Sequence, residues 1–167
     1  MYASQLDRAL SSAFRGRPIL YLGVFDLDSL QVAKLRSITA NEWFLALHKD
    51  NHWMALWHTK EKTATRRLFF LDPLAKDFAV YSPEISLRLQ LLVGADNFYH
   101  LPFPVQSQVS LICGLYIIYF ALVVARGGGF CDLFAPFRRN EELWNDSLVR
   151  QLAEFYWPQL NLQQLWT

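Results

Sequence analysis

The sequence has few charged residues and few cysteines, and both shortages exclude whole classes of protein. Charged residues make up 19% of the 167, and the formal net charge is +1. A nucleic-acid-binding surface needs clustered positive charge, so this balance argues against a DNA or RNA partner. The two cysteines, Cys113 and Cys131, form neither a CxxC pair nor a Cys/His cluster with zinc-site spacing. This usage is typical of reduced thiols in an intracellular protein.

The sequence shows neither the pattern expected of a secretory signal nor a full-length membrane span, so we expect neither. Residues 1–14 alternate polar and apolar side chains, without the basic start and apolar block of a signal peptide. Val109–Ala125 is almost wholly apolar, but it is shorter than the roughly 20 residues that a membrane span needs. A helix that is hydrophobic on all sides also suits the centre of a globular domain. We therefore predict a buried core helix here and no membrane partner.

Apolar and aromatic residues are abundant, at 53% and 16% of the chain, which favours one well-buried core and a single domain over residues 1–167. Helical periodicities alternate with strand-length aromatic runs, so the predicted fold class is α+β: a small mixed or antiparallel sheet packed against the buried helix. Ser4 is the predicted first N-cap. Besides the central helix, the predicted helices are Ser4–Phe14, Pro83–Val93 and Glu141–Trp157, and Pro158 ends the last of them. The predicted strands are Ile19–Phe25, Glu42–Leu47, Trp53–Thr59, Arg67–Leu71 and Phe98–Leu101.

Cys113 lies where a polar, extended stretch changes into the apolar helix. A helix N-terminus carries a positive potential and free amide N–H groups, which favour a thiolate and can stabilise an oxyanion. Gly114 follows directly, and a residue without a side chain would let a substrate backbone approach closely and leave the thiol uncovered. Buried structural cysteines are also common in apolar helices. A catalytic role for Cys113 therefore depends on a base and an acid elsewhere.

His52 is the best placed of the four histidines to act as that base. It precedes a predicted strand, so the sheet can fix its position while the side chain faces a cleft. Asp72 ends the next strand, and Pro73 stops the strand pairing there. If the two strands pair as a hairpin, Asp72 comes to the same edge of the sheet as His52. A surface histidine and ordinary Asp-Pro turn chemistry are the structural alternatives.

These residues resemble adenain, the adenovirus-type maturation cysteine protease, and more distantly the deSUMOylating proteases that share its fold. The matching pieces occur in the same order along nearly the whole chain, although overall identity is low. They are His52–Ala55, Leu71–Pro73, and Gln106 seven residues before Cys113–Gly114. A histidine, an acid and a Gln…Cys-Gly in this order are more specific together than any one of them alone.

The resemblance implies a role for each matched residue. Cys113 is the nucleophile, His52 is its base and Asp72 orients His52. The side chain of Gln106 completes an oxyanion hole with the Cys113 amide. Gln108 is nearer to the cysteine and is the main rival for that role. The acid is an aspartate here, whereas adenain of the common mammalian viruses has glutamate, so the two strands must approach more closely.

The resemblance also implies substrates and cofactors. The expected substrates are viral structural precursors with glycine near the cleavage site, cut during virion maturation in the host nucleus or the virion. The family's activating peptide attaches to a cysteine upstream of the glutamine, but the region Ala95–Phe98 has none. We expect an activator, if one is needed, to be a noncovalent peptide, with no metal or other cofactor. Adenain is strongly basic and uses DNA, whereas this nearly neutral chain has little electrostatic reason to bind it.

Two other functions are compatible with the sequence. A ubiquitin-like-protein (SUMO-type) isopeptidase would use the same chemistry and accept a Gly-Gly tail in its groove. A noncatalytic capsid or scaffold-binding domain would carry a decayed site, and the intact set of four residues argues against it. The main prediction is a viral-type cysteine endopeptidase.

Overall fold

The computed structural model describes residues 1–156, which adopt an α+β fold. Its strands are β1 (Leu20–Asp26), β2 (Trp43–Lys49), β3 (His52–Lys60), β4 (Arg66–Leu71) and β5 (Phe98–His100). Its helices are α1 (Ala3–Phe14), α2 (Val32–Arg36), α3 (Phe78–Tyr81), α4 (Pro83–Val93), α5 (Cys113–Ala125) and α6 (Glu142–Tyr156). The predicted fold class is therefore confirmed.

The five strands form one mixed sheet in the order β1-β2-β3-β4-β5. The central strands β2, β3 and β4 pair antiparallel, as the sequence predicts, while β1 and β5 join the two edges in parallel. A tight turn at Asp50 and Asn51 connects β2 to β3, and both residues have positive φ, 49° and 62°. Such turns match the twist of the flanking strands. The turn fixes His52 as the first residue of β3.

The sheet is covered on both faces, so β3 reads as a nearly continuous apolar run. Trp53, Ala55 and Trp57 face a core shared with α1, α5 and α6. Met54 and Leu56 face a second core with α2 and α4. Helix α5 lies at the centre of the first core with all but one of its residues buried, as predicted. Within residues 1–156, no helix is both long enough and apolar enough to cross a membrane.

The predicted strands differ from the observed ones by one or two residues at their ends, and some helix starts also differ. Helix α1 starts at Ala3, so Ser4 is not its N-cap; instead Gln5 Oε1 accepts a hydrogen bond from the Tyr2 backbone N–H (2.9 Å). Helix α5 begins at Cys113, the predicted junction, whereas the first residues of the apolar run Val109–Ala125 form an irregular loop over 109–112. Helix α6 begins at Glu142, and its predicted end at Pro158 lies outside the described residues. Helices α2 and α3 were not predicted.

Candidate active site

The buried carboxylate of Asp72 and the partly buried imidazole of His52 form a pair at one end of the sheet. His52 opens β3, and Asp72 directly follows β4, which pairs antiparallel with β3. His52 Nε2 lies 2.7 Å from Asp72 Oδ1. Asp72 is only 1% exposed. The juxtaposition expected from the hairpin is therefore observed, and the shorter aspartate reaches the histidine directly.

Further hydrogen bonds fix the orientation of the Asp72 carboxylate. Oδ1 also accepts from the Leu74 backbone N–H (2.9 Å), and Oδ2 accepts from the Lys76 backbone N–H (3.2 Å) and the Tyr81 hydroxyl (2.7 Å). A carboxylate offers about four acceptor positions, and these donors together with His52 use them. Asp72 is thus held in one geometry by the turn that follows it and by α3.

Tyr81 is a site residue that sequence reasoning missed. Its hydroxyl donates to Asp72, and its ring stacks beside His52 with centroids 6.1 Å apart. Burial and then the Asp72 charge raise the pKa of Tyr81, so the hydroxyl keeps its proton and remains a donor. Helix α3 is only four residues long and has no periodicity that singles out Tyr81. Only the tertiary fold identifies it.

The thiol of Cys113 lies beside this pair, at the first residue of α5. Its Sγ accepts a hydrogen bond from the Trp53 backbone N–H at 3.4 Å. Burial lowers the pKa of His52, but hydrogen bonds to Asp72 and Cys113, together with their charges, outweigh it and raise that pKa to about 9. Because Nε2 faces Asp72, the ring nitrogen available to the thiol is Nδ1. The structure therefore brings His52, Asp72 and Cys113 together.

Gln106 lies in the loop before α5, buried at 3% exposure. Its side-chain Nε2 donates to the Ser110 carbonyl oxygen (2.9 Å), which leaves the second amide hydrogen uncommitted. Its Oε1 is buried without a hydrogen-bond partner within the described residues. The rival Gln108 is exposed to solvent. The burial and fixed side chain of Gln106 favour it over Gln108 as an oxyanion donor, a role that stays a prediction.

Side chains from α5 and α6 anchor the Gln106 loop. The Tyr116 hydroxyl lies 2.8 Å from both the Val105 carbonyl oxygen and Asp146 Oδ1. The Ser107 backbone N–H donates to the same carboxylate oxygen (3.4 Å). Asp146 is 6% exposed, so these contacts are shielded from water. The loop is therefore fixed on both sides of Gln106.

A cleft of about 730 Å³ opens at Cys113 and is bordered by the start of the chain. Its aromatic and apolar walls include Tyr2, Phe25, Trp53 and Leu111. The prediction that Gly114 leaves the thiol uncovered is wrong. A Cβ built on Gly114 would lie 2.6 Å from the Met1 sulfur, so the Met1 side chain packs on this glycine, and Cys113 is only 5% exposed.

No protein-family model matches the chain, and no match was found among curated proteins. Solved structures of XopD are similar to it. A cysteine-to-alanine mutant of Xanthomonas XopD has a TM-score of 0.53 at 15% identity, covering 90% of this chain and 96% of that one. XopD from Xanthomonas campestris bound to ubiquitin gives 0.52 at 15%, covering 90% of each chain.

A third XopD structure, described in a study of substrate specificity in ubiquitin-like protein proteases, has a TM-score of 0.50 at 16% identity. It covers 90% of this chain and 98% of that one. At these identities the likeness shows the fold, an α+β fold shared with XopD. The resemblance to adenain itself stays a prediction.

Proposed function

We propose that the chain is a cysteine peptidase in which Cys113 is the nucleophile. The observation that carries this proposal is the position of one imidazole next to both partners. His52 Nε2 lies 2.7 Å from Asp72 Oδ1. The Cys113 sulfur accepts a hydrogen bond from the backbone N–H of Trp53, the residue after His52, and is close enough to help raise the pKa of His52. A nucleophile next to a base that a third group orients is the arrangement that covalent acyl transfer requires. The likeness to XopD supports the same chemistry.

In the proposed mechanism, the Cys113 thiol proton resides on His52, which the raised imidazole pKa favours. The Cys113 sulfur attacks the scissile carbonyl carbon, and the oxyanion that forms accepts hydrogen bonds from the Cys113 amide and the Gln106 side chain. His52 gives its proton to the leaving amine as the C–N bond breaks. Water, deprotonated by His52, then hydrolyses the thioester and regenerates the thiol.

A thin substrate chain suits the narrow access to the thiol. Cys113 is nearly buried, and Met1 occupies the space over Gly114. Side chains next to the scissile bond would collide with these walls, whereas glycine would not. We therefore favour a substrate with a Gly-Gly tail, that of ubiquitin or a ubiquitin-like modifier. Ubiquitin bound to XopD, a protein of the same fold, supports this choice.

Viral precursor cleavage is the second candidate, favoured by the sequence motifs shared with adenain. It uses the same nucleophile and also needs glycine near the cut. The noncovalent peptide activator and the location in the host nucleus or virion belong to this candidate and remain predictions.

Covalent capture tests both the chemistry and the substrate class. Ubiquitin and SUMO carrying a C-terminal propargylamide should form a thioether adduct with the wild-type protein and none with Cys113→Ala. A free propargylamide-tagged Gly-Gly peptide serves as the small control. If the peptide labels Cys113 but ubiquitin and SUMO do not, the peptidase proposal stands and the viral precursor candidate is favoured. The absence of any adduct at Cys113 would contradict the proposal.

A further inference from the structure

A second cavity, of about 350 Å³, opens at the other end of β3 from the proposed active site. It is bordered by the end of α2, the 37–40 loop and the ends of β3 and β4. His58 lines it, six residues along the strand from His52, which corresponds to roughly 20 Å. Ligand pockets fall in this range of volumes. The cavity is therefore separate from the proposed catalytic residues.

The cavity has a markedly positive lining. Arg36, Lys60 and Arg66 contribute three cations, and no carboxylate among the described residues lines it. Within residues 1–156, none of these three cations forms an ion pair. The neighbouring Arg67 points to the opposite face of the sheet, where it pairs with Glu61. Of the two adjacent arginines, Arg67 is therefore neutralised by a carboxylate, whereas Arg66 has no ion-pair partner in the described part of the chain.

Lys60 and Arg66 are directly opposed across the β3–β4 pair. Like charges in this position destabilise a sheet, and here they also share the face that carries His58. The repulsion has no compensating partner in the described part of the chain. An uncompensated like-charge pair at the mouth of a cavity is typical of a surface that binds an anion.

His58 supplies an independent sign of a missing ligand. Its side chain is buried at 3% exposure and stacks on Trp43 with ring centroids 5.0 Å apart. Its Nδ1 is buried without a hydrogen-bond partner within residues 1–156. Burial, with added repulsion from Arg66 and Lys60, lowers the pKa of His58 to about 4, although a hydrogen bond with the Asn41 backbone opposes this. A buried nitrogen without a partner calls for one, and Nδ1 can donate a hydrogen bond to an anion once it carries a proton.

We propose that this cavity binds a phosphate-class dianion, held by Arg36, Lys60, Arg66 and the imidazole of His58. Guanidinium groups match phosphate oxygens in geometry and charge. The bound dianion would relieve the repulsion between Lys60 and Arg66 and would favour a proton on His58 Nδ1, which then donates a hydrogen bond. A single recessed site suits one phosphate group better than the extended backbone of duplex DNA.

Thermal unfolding and NMR of the whole chain test this proposal with inorganic phosphate as the probe and chloride at equal ionic strength as the reference. We expect the Tm to rise with the logarithm of phosphate concentration. We also expect an NMR pH titration of the His58 ring resonances to give a higher pKa in phosphate than in chloride. Arg66→Gln and Lys60→Gln should each weaken phosphate binding by about tenfold or more, the effect of losing one charge-assisted hydrogen bond. Arg139→Gln removes an exposed positive charge elsewhere and should not change it.

The ligand-free stability of the variants separates a binding role from a structural one. Because Lys60 and Arg66 repel each other, either substitution should leave the Tm in chloride unchanged or raise it. If O-phosphoserine peptides bind more tightly than inorganic phosphate, the ligand is a phosphorylated segment of a protein. If the two bind equally, the ligand is a free phosphate. The proposal would be overturned if phosphate raised the Tm equally in the wild type and in Arg66→Gln. It would also be overturned if the protein bound duplex DNA in an Arg66-dependent way but did not respond to phosphate.

Discussion

Pro73 and Gln106 are joined by a backbone hydrogen bond, in which the Gln106 N–H donates to the Pro73 carbonyl oxygen (3.1 Å). The Val105 N–H donates to the same oxygen (2.9 Å). Because Pro73 directly follows Asp72, the residue that orients His52 and the loop that carries Gln106 are tied to one point. The proposed acid and oxyanion donor are therefore positioned together, although they are far apart in sequence.

Loss of the nucleophile or the base should abolish peptidase activity. We expect Cys113→Ala and His52→Ala each to lower kcat by about 10⁴-fold or more, because the groups of such a site act as a unit. Asp72→Asn should retain measurable residual activity, since it leaves the thiol and imidazole in place. Turnover of a fluorogenic Gly-Gly substrate is the measurement.

Cys131→Ala is the matched control, because Cys131 is the other free thiol and is exposed. It should retain full activity, and circular dichroism should show all four variants folded. Unchanged turnover in folded Cys113→Ala would end the peptidase hypothesis.

Gln106→Ala should lower kcat by about 10²-fold with little change in KM, because an oxyanion donor acts mainly in the transition state. Gln108→Ala should have a far smaller effect, since Gln108 is exposed. Steady-state kinetics on the two purified variants make the comparison. A larger effect from Gln108 would show that the oxyanion donor is assigned two residues too early.

The raised pKa of His52 predicts the alkaline side of the pH profile. The proposed reaction needs the imidazolium to protonate the leaving amine, so kcat/KM should fall as pH rises through about 9. Asp72→Asn removes the charge and the hydrogen bond that favour the imidazolium, so its alkaline limb should move to lower pH. An unchanged limb in Asp72→Asn would mean that Asp72 does not act on His52.

Tyr81→Phe should act in the opposite direction. Without the Tyr81 hydroxyl, the Asp72 carboxylate has one donor fewer and attracts the His52 proton more strongly, so the alkaline limb should move to higher pH. Loss of a hydrogen bond to a charged group should also cost about 1.5–3 kcal/mol of stability. Tyr119→Phe is the control, because within residues 1–156 the one hydrogen bond of the Tyr119 hydroxyl is a long contact (3.5 Å) with the Asp132 carbonyl oxygen. A stability loss without a shifted limb would mean that Tyr81 is only structural.

Local patterns in the sequence predict the parts of the fold that local physics decides. Helix α4 has the predicted bounds, since Pro83 and Gly94 are strong start and stop signals. The contact of His52 with Asp72 follows from pairing of adjacent strands, which a hairpin makes close in sequence. The contact between these two proposed catalytic residues could therefore be inferred before any coordinates.

Features that depend on distant contacts could not be predicted. Met1 covers Gly114 because α1 packs on α5, more than a hundred residues later in the chain. Tyr81 reaches Asp72 only through the path of the chain around α3. Val109 and Leu111 belong to an apolar run that reads as helix, yet they lie in a loop and are 85% and 82% exposed. Two exposed apolar side chains so close together next to the cleft are a candidate interaction surface.

These two exposed side chains lead to a test of substrate size. Leu111 lines the cleft at Cys113, whereas Val109 lies two residues earlier and does not line it. A folded modifier is large enough to contact both, and a short peptide in the cleft reaches only Leu111. Val109→Ser should therefore raise KM for a ubiquitin-like substrate by about tenfold, the effect of losing one buried apolar contact, and leave a short Gly-Gly peptide unaffected.

Leu111→Ser should raise KM for both substrates, because Leu111 lines the cleft at Cys113 in which either substrate would bind. Leu91→Ser is the control, since Leu91 is 70% exposed on α4, which packs on the opposite face of the sheet. It should change neither KM. The measurement is KM for a ubiquitin-like fusion and for the matching peptide with each variant. If Val109→Ser leaves both KM values unchanged, this loop does not contact the body of a folded modifier, and short or unfolded segments such as those of a viral precursor become the better substrate class.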